Sequence, residues 1–162
     1  FAYTYSHLYH VPATGLRFFT VYGPFGRPDM AYFSFTKAIL EDKPINVFNG
    51  GNMLRDFTYI DDVTTCLETM LFCPPKADET GAPNAVYNIG NNNPVKLIDF
   101  IHAIEDALGK KATLNYLPMQ AGDVEKTYAD IENTRRDFGF EPHTQIQQGI
   151  RQFTNWYSAY YQ

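Results

Sequence analysis

Two arginines and one aspartate lie in short stretches of this sequence that are rich in glycine and proline or begin a strand-like run. Arg27 lies in Gly-Arg-Pro-Asp, Arg55 begins Arg-Asp-Phe-Thr-Tyr, and Asp123 lies in Ala-Gly-Asp-Val. A guanidinium is always charged and offers a fork of N–H donors that suits phosphate oxygens. A carboxylate on a loop can accept hydrogen bonds from the hydroxyls of a ribose. These residue types indicate a site for a diphosphate joined to sugars.

The same arginines also have a structural interpretation. Arg27 is two positions from Asp29, and Arg55 is next to Asp56 and close to Asp61. Local ion pairs of this kind are common on protein surfaces and bind no ligand. The spacing alone leaves both interpretations open.

Phe48 ends a predicted strand immediately before the turn Asn49-Gly50-Gly51-Asn52. An exposed aromatic ring at a strand end suits stacking on a base, although core filling is the commoner role of an aromatic side chain.

No set of residues typical of catalysis is present in the sequence. There is no G-x-G-x-x-G loop for a dinucleotide. His7 and His10 have helical spacing, but no acidic or cysteine partner completes a metal site, so we interpret them as surface residues. The adjacent Asp61 and Asp62 are better explained as caps of a following helix than as an acid–base pair.

Composition and charge exclude several classes of partner. The chain has 162 residues, a net charge of -5 and no run of Lys or Arg, so we expect no nucleic acid partner. No apolar stretch is long enough to span a membrane, and we expect a cytoplasmic protein. Cys66 and Cys73 match no metal-ligand pattern and are interpreted as two reduced thiols in the core.

Strands alternate with helices along the chain, which predicts an α/β layered fold and one domain over 1–162. The clearest helix has Leu97, Ile101, Ile104 and Leu108 on one face and Gly109 at its end. Other helices are predicted at 1–10, 30–41, 61–72, 130–137 and 146–157. Strands are predicted at 14–22, 45–48, 55–60, 85–89 and 112–116.

Several motifs, in order along almost the whole chain, resemble the extended short-chain dehydrogenase/reductase family and within it the UDP-glucuronate 4-epimerases. The stretch Gly-Arg-Pro-Asp-Met separates this branch from UDP-galactose epimerases and dTDP-glucose dehydratases. One departure is Ala121, where relatives often have proline before Gly-Asp. The motifs are Leu16–Pro24, Gly26–Ala31, Arg55–Val63, Tyr87–Gly90, Gly122–Val124 and Thr127–Ile131.

The resemblance implies roles at the sugar end of a substrate. Phe19 would contact the nicotinamide end of NAD through its backbone. The hydroxyl of Thr20 would contact the glucuronate carboxylate, and Arg27 would reach the sugar or its phosphate.

It also implies roles at the nucleotide end. Met30 and Ala31 would line a uridine pocket through backbone groups, and Phe48 would pack against the uracil. Arg55 would bind the diphosphate, and Asp123 would hold the ribose.

In that family a Rossmann domain holds NAD, and a Tyr-x-x-x-Lys pair abstracts the 4-hydroxyl proton while NAD takes the hydride from C4. Neither Tyr5 nor Tyr9 is followed by Lys four residues on. The resemblance therefore implies the C-terminal, UDP-sugar-binding part of an extended SDR (Rossmann-type) enzyme, with a remnant of the parallel sheet, the catalytic pair upstream of Phe1 and the NAD-binding half absent. Such a part would be inactive alone and would expose an apolar face, so we expect residues 1–25 to pair with another copy or to be poorly ordered.

Three further expectations accompany this interpretation. The resemblance implies a homodimer in the parent enzyme. The chain could instead be a free-standing nucleotide-sugar-binding module, or a structural piece that binds nothing. The parent could also act on UDP-xylose or UDP-galactose, or be a 4,6-dehydratase, and the residues that separate dehydratases from epimerases belong to the catalytic half.

Overall fold

The computed structural model describes residues 1–161 and has a mixed α/β architecture. The helices of this range are Ala2–Tyr9 (α1), Ala31–Leu40 (α2), Ile60–Leu71 (α3), Leu97–Leu108 (α4), Glu132–Phe138 (α5) and Ile146–Tyr161 (α6). The strands are Ala13–Phe18 (β1), Thr20–Tyr22 (β2), Ile45–Phe48 (β3), Leu54–Arg55 (β4), Phe57–Tyr59 (β5), Asn84–Ile89 (β6), Val95–Lys96 (β7) and Leu114–Leu117 (β8). A 3-10 turn over Asn49–Gly51 follows β3.

The strand predicted over 14–22 is divided at Phe19. β1 pairs in parallel with β6, whereas β2 pairs in parallel with β5. The N–H of Phe19 donates to the carbonyl of Ile89 at 2.9 Å, which joins the two pairs. Aromatic and β-branched composition predicts an extended chain but carries no information about the partner strand. The parallel pairs match the expected remnant of a parallel sheet.

Two further strand pairs contain Phe48 and Arg55, which the resemblance assigns to the nucleotide end of the substrate. β3 pairs in parallel with β8, and β4 pairs antiparallel with the short β7. The strand predicted at 112–116 begins later, at Leu114, because the N–H of Ala112 donates to the carboxylate of Glu105 at 2.7 Å.

The core is strongly aromatic, which accounts for the high content of Tyr and Phe. The rings of Phe57 and Phe100 stack with centroids 3.9 Å apart, and Tyr22 meets both rings edge-on. Phe153 of α6 is fully buried and packs against Tyr32 at 4.9 Å. Edge-to-face pairs of this kind add stability beyond the apolar area they bury. These contacts join α2, α4 and α6 to β2 and β5.

The prediction that Asp61 or Asp62 caps a helix is wrong. Helix α3 begins at Ile60 with Tyr59 as its N-cap, so neither Asp61 nor Asp62 caps it. Both carboxylates lie instead in the first turn, where the helix dipole favours negative charge, and Asp62 accepts the N–H of Thr144 at 3.1 Å.

Of the two cysteines, only Cys66 belongs to the core. Cys66 is buried in α3, whereas Cys73 lies exposed just beyond the end of that helix, and both are free thiols. The prediction of two core thiols is therefore wrong for Cys73. Cys73 lies outside the core because α3 ends at Leu71, two residues before it.

The first 25 residues expose many apolar side chains, as predicted. Only Ser6 of α1 is buried, and Leu8 and Tyr9 are each more than half exposed. No helix within residues 1–161 is both long and apolar enough to cross a membrane. The exposed members of this segment are Phe1, Tyr3, Tyr5, Leu8, Tyr9, Val11, Phe18 and Phe25.

Candidate functional site

Arg55 and Asp123, predicted separately as ligand-binding residues, form an ion pair with each other. Arg55 Nη2 lies 2.8 Å from Asp123 Oδ1, and both side chains are largely buried, at 18% and 30% exposure. Arg55 Nη1 also donates to the carbonyls of Leu54 and Glu125, at 3.0 and 3.4 Å. Asp56 and Asp61, the local ion-pair partners that the sequence offered for Arg55, do not pair with it.

The loop that carries Asp123 also lies beside Phe48. Phe48 is the last residue of β3, and its register partner is Leu117, the last residue of β8. The loop 118–125 follows Leu117 directly. The far end of this loop is fixed to β4, because the N–H of Leu54 donates to the carbonyl of Glu125 at 2.8 Å. One loop thus runs from the register partner of Phe48 to the Arg55–Asp123 pair.

A cleft of about 420 Å³ gathers three other predicted residues, Phe19, Arg27 and Met30. Its walls are mainly apolar, and Arg27 is the one charged side chain among the described residues that line it. An apolar cleft with a few polar groups is the usual form of a small-molecule site. The other lining residues are Phe18, Val21, Tyr22, Gly23, Pro24, Phe25, Gly26, Tyr32, Ile60, Val63 and Leu67.

Arg27 pairs with Asp29, as the structural interpretation predicted. Arg27 Nε donates to Asp29 Oδ1 at 3.0 Å, and Nη2 contacts the other carboxylate oxygen. The hydrogen bond from Arg27 holds the pKa of Asp29 below its ordinary value. Both side chains are mostly exposed, so the pair is open to exchange with an anionic ligand.

The segment around Arg27 separates the cleft from a second groove. Arg27 and Met30 line the cleft, whereas Pro28 lines the groove on the other side together with Phe48. Arg27, predicted at the sugar end, and Phe48, predicted at the base end, therefore line different cavities, and Met30, predicted at the uridine, lines the cleft with Arg27.

Thr20 and Ala31 lie beside the cleft and do not line it. Thr20 starts β2 between two lining residues, Phe19 and Val21. Ala31 starts α2, and its carbonyl accepts the hydroxyl of Ser34 at 3.1 Å.

The backbone of Met30 is already hydrogen-bonded within the loop and helix. Its N–H donates to the carbonyl of Arg27 at 3.1 Å, and its carbonyl accepts the N–H groups of Phe33 and Ser34, at 3.1 and 3.0 Å. A backbone contact from Met30 to a uridine would therefore have to share its carbonyl.

Asp56 is a residue that sequence reasoning missed as a structural centre. Its carboxylate is fully buried and accepts the N–H groups of Asn91, Asn92 and Ala129, at 2.9, 3.1 and 2.8 Å. A buried carboxylate requires such donors because desolvation of its charge is costly. Asp56 therefore fixes two loops beside Arg55. The only sequence signal was its position in the Arg-Asp-Phe-Thr-Tyr motif.

The tyrosines of the cleft are poor sources of a general base. Burial raises the pKa of Tyr22 well above its ordinary value, and the charge of Asp62 adds to this. Burial also raises the pKa of Tyr32, with a further contribution from Asp29. Both phenols stay protonated near neutral pH. Among residues 1–161, no group of three or more His, Cys, Asp or Glu side chains is arranged to hold a metal ion.

Comparison with known proteins identifies relatives over nearly the whole chain. Residues 1–90 match the NAD dependent epimerase/dehydratase family. The chain is 52% identical to protein CapI of Staphylococcus aureus over 99% of its own length and 51% of that protein. It is 44% identical to UDP-glucuronate 4-epimerase 1 of Arabidopsis thaliana over 98% of its length and 39% of that protein.

A solved structure with the same fold is the UDP-glucuronic acid 4-epimerase of Bacillus cereus, crystallised with UDP-glucuronic acid and NAD. It superposes with a TM-score of 0.86 at 34% identity, over 99% of this chain and 49% of the other. The chain thus spans about half the length, or less, of the relatives described here.

Proposed function

We propose that this chain, which belongs to the NAD dependent epimerase/dehydratase family, is the UDP-sugar-binding part of a nucleotide-sugar 4-epimerase that acts on UDP-glucuronate. The observation that carries this proposal is the buried pair of Arg55 and Asp123, on a loop that starts beside Phe48 in the sheet, together with a cleft that Arg27 lines. On this proposal residues 1–162 form one part of the enzyme, and an NAD-binding half forms the other. The names of two relatives described above support the choice of UDP-glucuronate.

The proposed site has a nucleotide end and a sugar end. Arg55 holds the diphosphate, Asp123 accepts the ribose hydroxyls, and Phe48 packs against the uracil. At the other end Arg27 meets the anionic sugar, and Thr20 offers its hydroxyl to the carboxylate. Met30 ends the loop between the two ends, and Ala31 begins α2.

We place most of the NAD site outside this chain. The sequence has no G-x-G-x-x-G loop, and the N–H of Phe19 is already donated to Ile89. A contact from Phe19 to the cofactor would have to use other atoms, such as its ring in the cleft. Bound NAD supplies the family's hydride acceptor, and we assign its binding to the other half of the parent.

The role of this chain is therefore binding and orientation. No Tyr-x-x-x-Lys pair occurs in the sequence, and the cleft tyrosines have raised pKa values. We infer that the chain alone is inactive. Its residues would hold the diphosphate while the sugar turns, so their loss should weaken binding more than it slows a chemical step.

Calorimetric titration of the chain with UDP tests this proposal. We expect saturable binding, and we expect Arg55→Ala to weaken it about tenfold or more, the scale of a charge-assisted hydrogen bond. The matched control is Arg136→Ala, which removes another Arg–Asp pair, Arg136 Nε to Asp137 Oδ1 at 2.7 Å. This control should leave UDP binding unchanged.

Two results would contradict the proposal. Absence of binding at millimolar UDP would favour a structural piece that binds nothing. Equal weakening by Arg55→Ala and Arg136→Ala would show that the site lies elsewhere.

A further inference from the structure

Phe25 combines high exposure with an unusual backbone conformation. Its side chain is 80% exposed, and its φ of 59° lies in the left-handed region, which bulky residues rarely adopt. Such backbone conformations persist only where the surroundings impose them, and they cluster at ligand sites. Phe25 also lines the cleft that contains Arg27.

The two glycines that flank Phe25 explain how the conformation is imposed. A Cβ atom on Gly23 would lie 2.4 Å from Ile60 Cγ2, and one on Gly26 would lie 1.7 Å from Tyr32 Oη. The loop backbone is thus pressed against the fold on both sides of Phe25. The ring itself lies at the cleft surface.

Trp156 supports the ring of Phe25 from the side. The two ring centroids are 5.1 Å apart and the planes are tilted by 55°. Trp156 belongs to α6 and packs in turn against the buried Phe153 at 5.8 Å and against Tyr160 at 5.5 Å. The exposed ring of Phe25 is therefore the outer end of an aromatic row that is anchored in the core.

We propose that Phe25 contacts the sugar ring of the substrate and is held in position by Trp156; this inference rests on the proposed function. A pyranose offers a face of C–H groups with partial positive charge, which complements the negative face of an aromatic ring. Its carboxylate and hydroxyls lie at the edge, where Arg27 is the cationic side chain of the same cleft. Phe25 thereby determines affinity for the sugar and contributes nothing to the nucleotide.

Calorimetry with UDP and with UDP-glucuronate separates the two contributions. We expect Phe25→Ala to weaken UDP-glucuronate binding about three- to tenfold, the scale of one aromatic contact, and to leave UDP binding unchanged. Phe25→Tyr should retain the affinity for UDP-glucuronate, whereas Phe25→Leu should lose it. Because the side chain is exposed, the thermal unfolding midpoint of each variant should match that of the unmodified chain.

Trp156 provides a second measurement, because it is the single tryptophan of the sequence. Its emission should change on addition of UDP-glucuronate and stay constant with UDP. The inference is overturned if Phe25→Ala alters neither affinity or weakens both equally while UDP still binds. Failure of the unmodified chain to bind UDP is a separate result, which overturns the proposed function and this inference with it.

Discussion

Arg55 and Asp123 are 68 positions apart in the sequence, yet their side chains meet at 2.8 Å in a largely buried ion pair. The pair is complete before any ligand arrives, and the fork of Arg55 also bonds two backbone carbonyls. A diphosphate would therefore have to share Arg55 with Asp123. The same pair that we assign to binding also fixes the loop to β4.

The double-mutant cycle of Arg55→Ala and Asp123→Ala should give a coupling of about 1 kcal/mol in the free energy of unfolding, because the pair is mostly buried. The control is the same cycle on Arg136 and Asp137, where Arg136 is 68% exposed; its coupling should be near zero. Urea titration of the single and double variants measures both. Equal couplings would contradict the structural role given to Arg55 and Asp123.

Replacement of Asp56 by asparagine should be among the costliest single changes beside the site. The buried carboxylate accepts three backbone N–H groups, and an amide would direct an NH₂ group at one of these donors. We expect a loss of about 2–4 kcal/mol in the free energy of unfolding.

The control for that experiment is Asp130→Asn. Asp130 also accepts a backbone N–H, from Glu132 at 3.0 Å, but it is exposed. Its loss should be below about 1 kcal/mol. Chemical denaturation measures the free energy of unfolding of both variants. A smaller loss for Asp56→Asn than for Asp130→Asn would contradict the proposal that the buried carboxylate of Asp56 fixes the two loops.

The sequence predicted the elements with strong local signals and missed features that depend on distant partners. Helix α4 ends at Gly109 in the left-handed conformation, as predicted from periodicity and the glycine. The division of the first strand at Phe19 depends on which strands lie beside it, β6 and then β5. Composition cannot supply that information.

The candidate site shows the same limit. Sequence motifs selected Arg55 and Asp123, but local spacing suggested Asp56 or Asp61 as the partner of Arg55. The true partner lies on a loop that the β3–β8 pairing brings alongside. For Arg27, whose partner Asp29 is two residues away, local spacing predicted the pair correctly.

Protonation of Glu105 should lower the free energy of unfolding in acid. Burial alone would raise its pKa, but the N–H of Ala112 and the ammonium of Lys111 outweigh burial and hold the pKa below its ordinary value. A carboxylate with a lowered folded-state pKa stabilises the fold above its unfolded pKa, about 4.3 for Glu, and this stabilisation is lost as pH falls through the folded pKa. In urea titrations, the free energy of unfolding of Glu105→Gln should fall less between neutral pH and acid than that of the unmodified chain. The exposed Glu68→Gln should leave that pH dependence unchanged.

The two cysteines should differ sharply in reactivity. Burial raises the pKa of the Cys66 thiol to about 11, and Cys73 is exposed. Because the thiolate is the nucleophile, iodoacetamide at mildly alkaline pH should add one group per folded chain and two in denaturant. Mass spectrometry measures the adducts, and Cys73→Ser should abolish the reaction of the folded chain. Modification of Cys66 in the folded Cys73→Ser variant would contradict the assignment.

Gly149 tests whether helix propensity or packing decides stability within α6. Alanine is favoured over glycine in a helix interior by about 1 kcal/mol. At this position, however, a Cβ atom would lie 2.3 Å from Tyr22 Oη and 2.8 Å from Tyr22 Cζ. Both residues are buried, and overpacking of a well-packed core costs about 1–3 kcal/mol.

The packing cost should exceed the gain in propensity, because the ring of Tyr22 contacts Tyr59 and Phe57 and cannot move freely. Gly149→Ala should therefore lower the thermal unfolding midpoint. The neighbouring Gln148→Ala, on the exposed face of α6, should leave the midpoint unchanged or raise it slightly. A higher midpoint for Gly149→Ala would mean that α6 can shift away from Tyr22, and the close contact between β2 and α6 would then not constrain the fold.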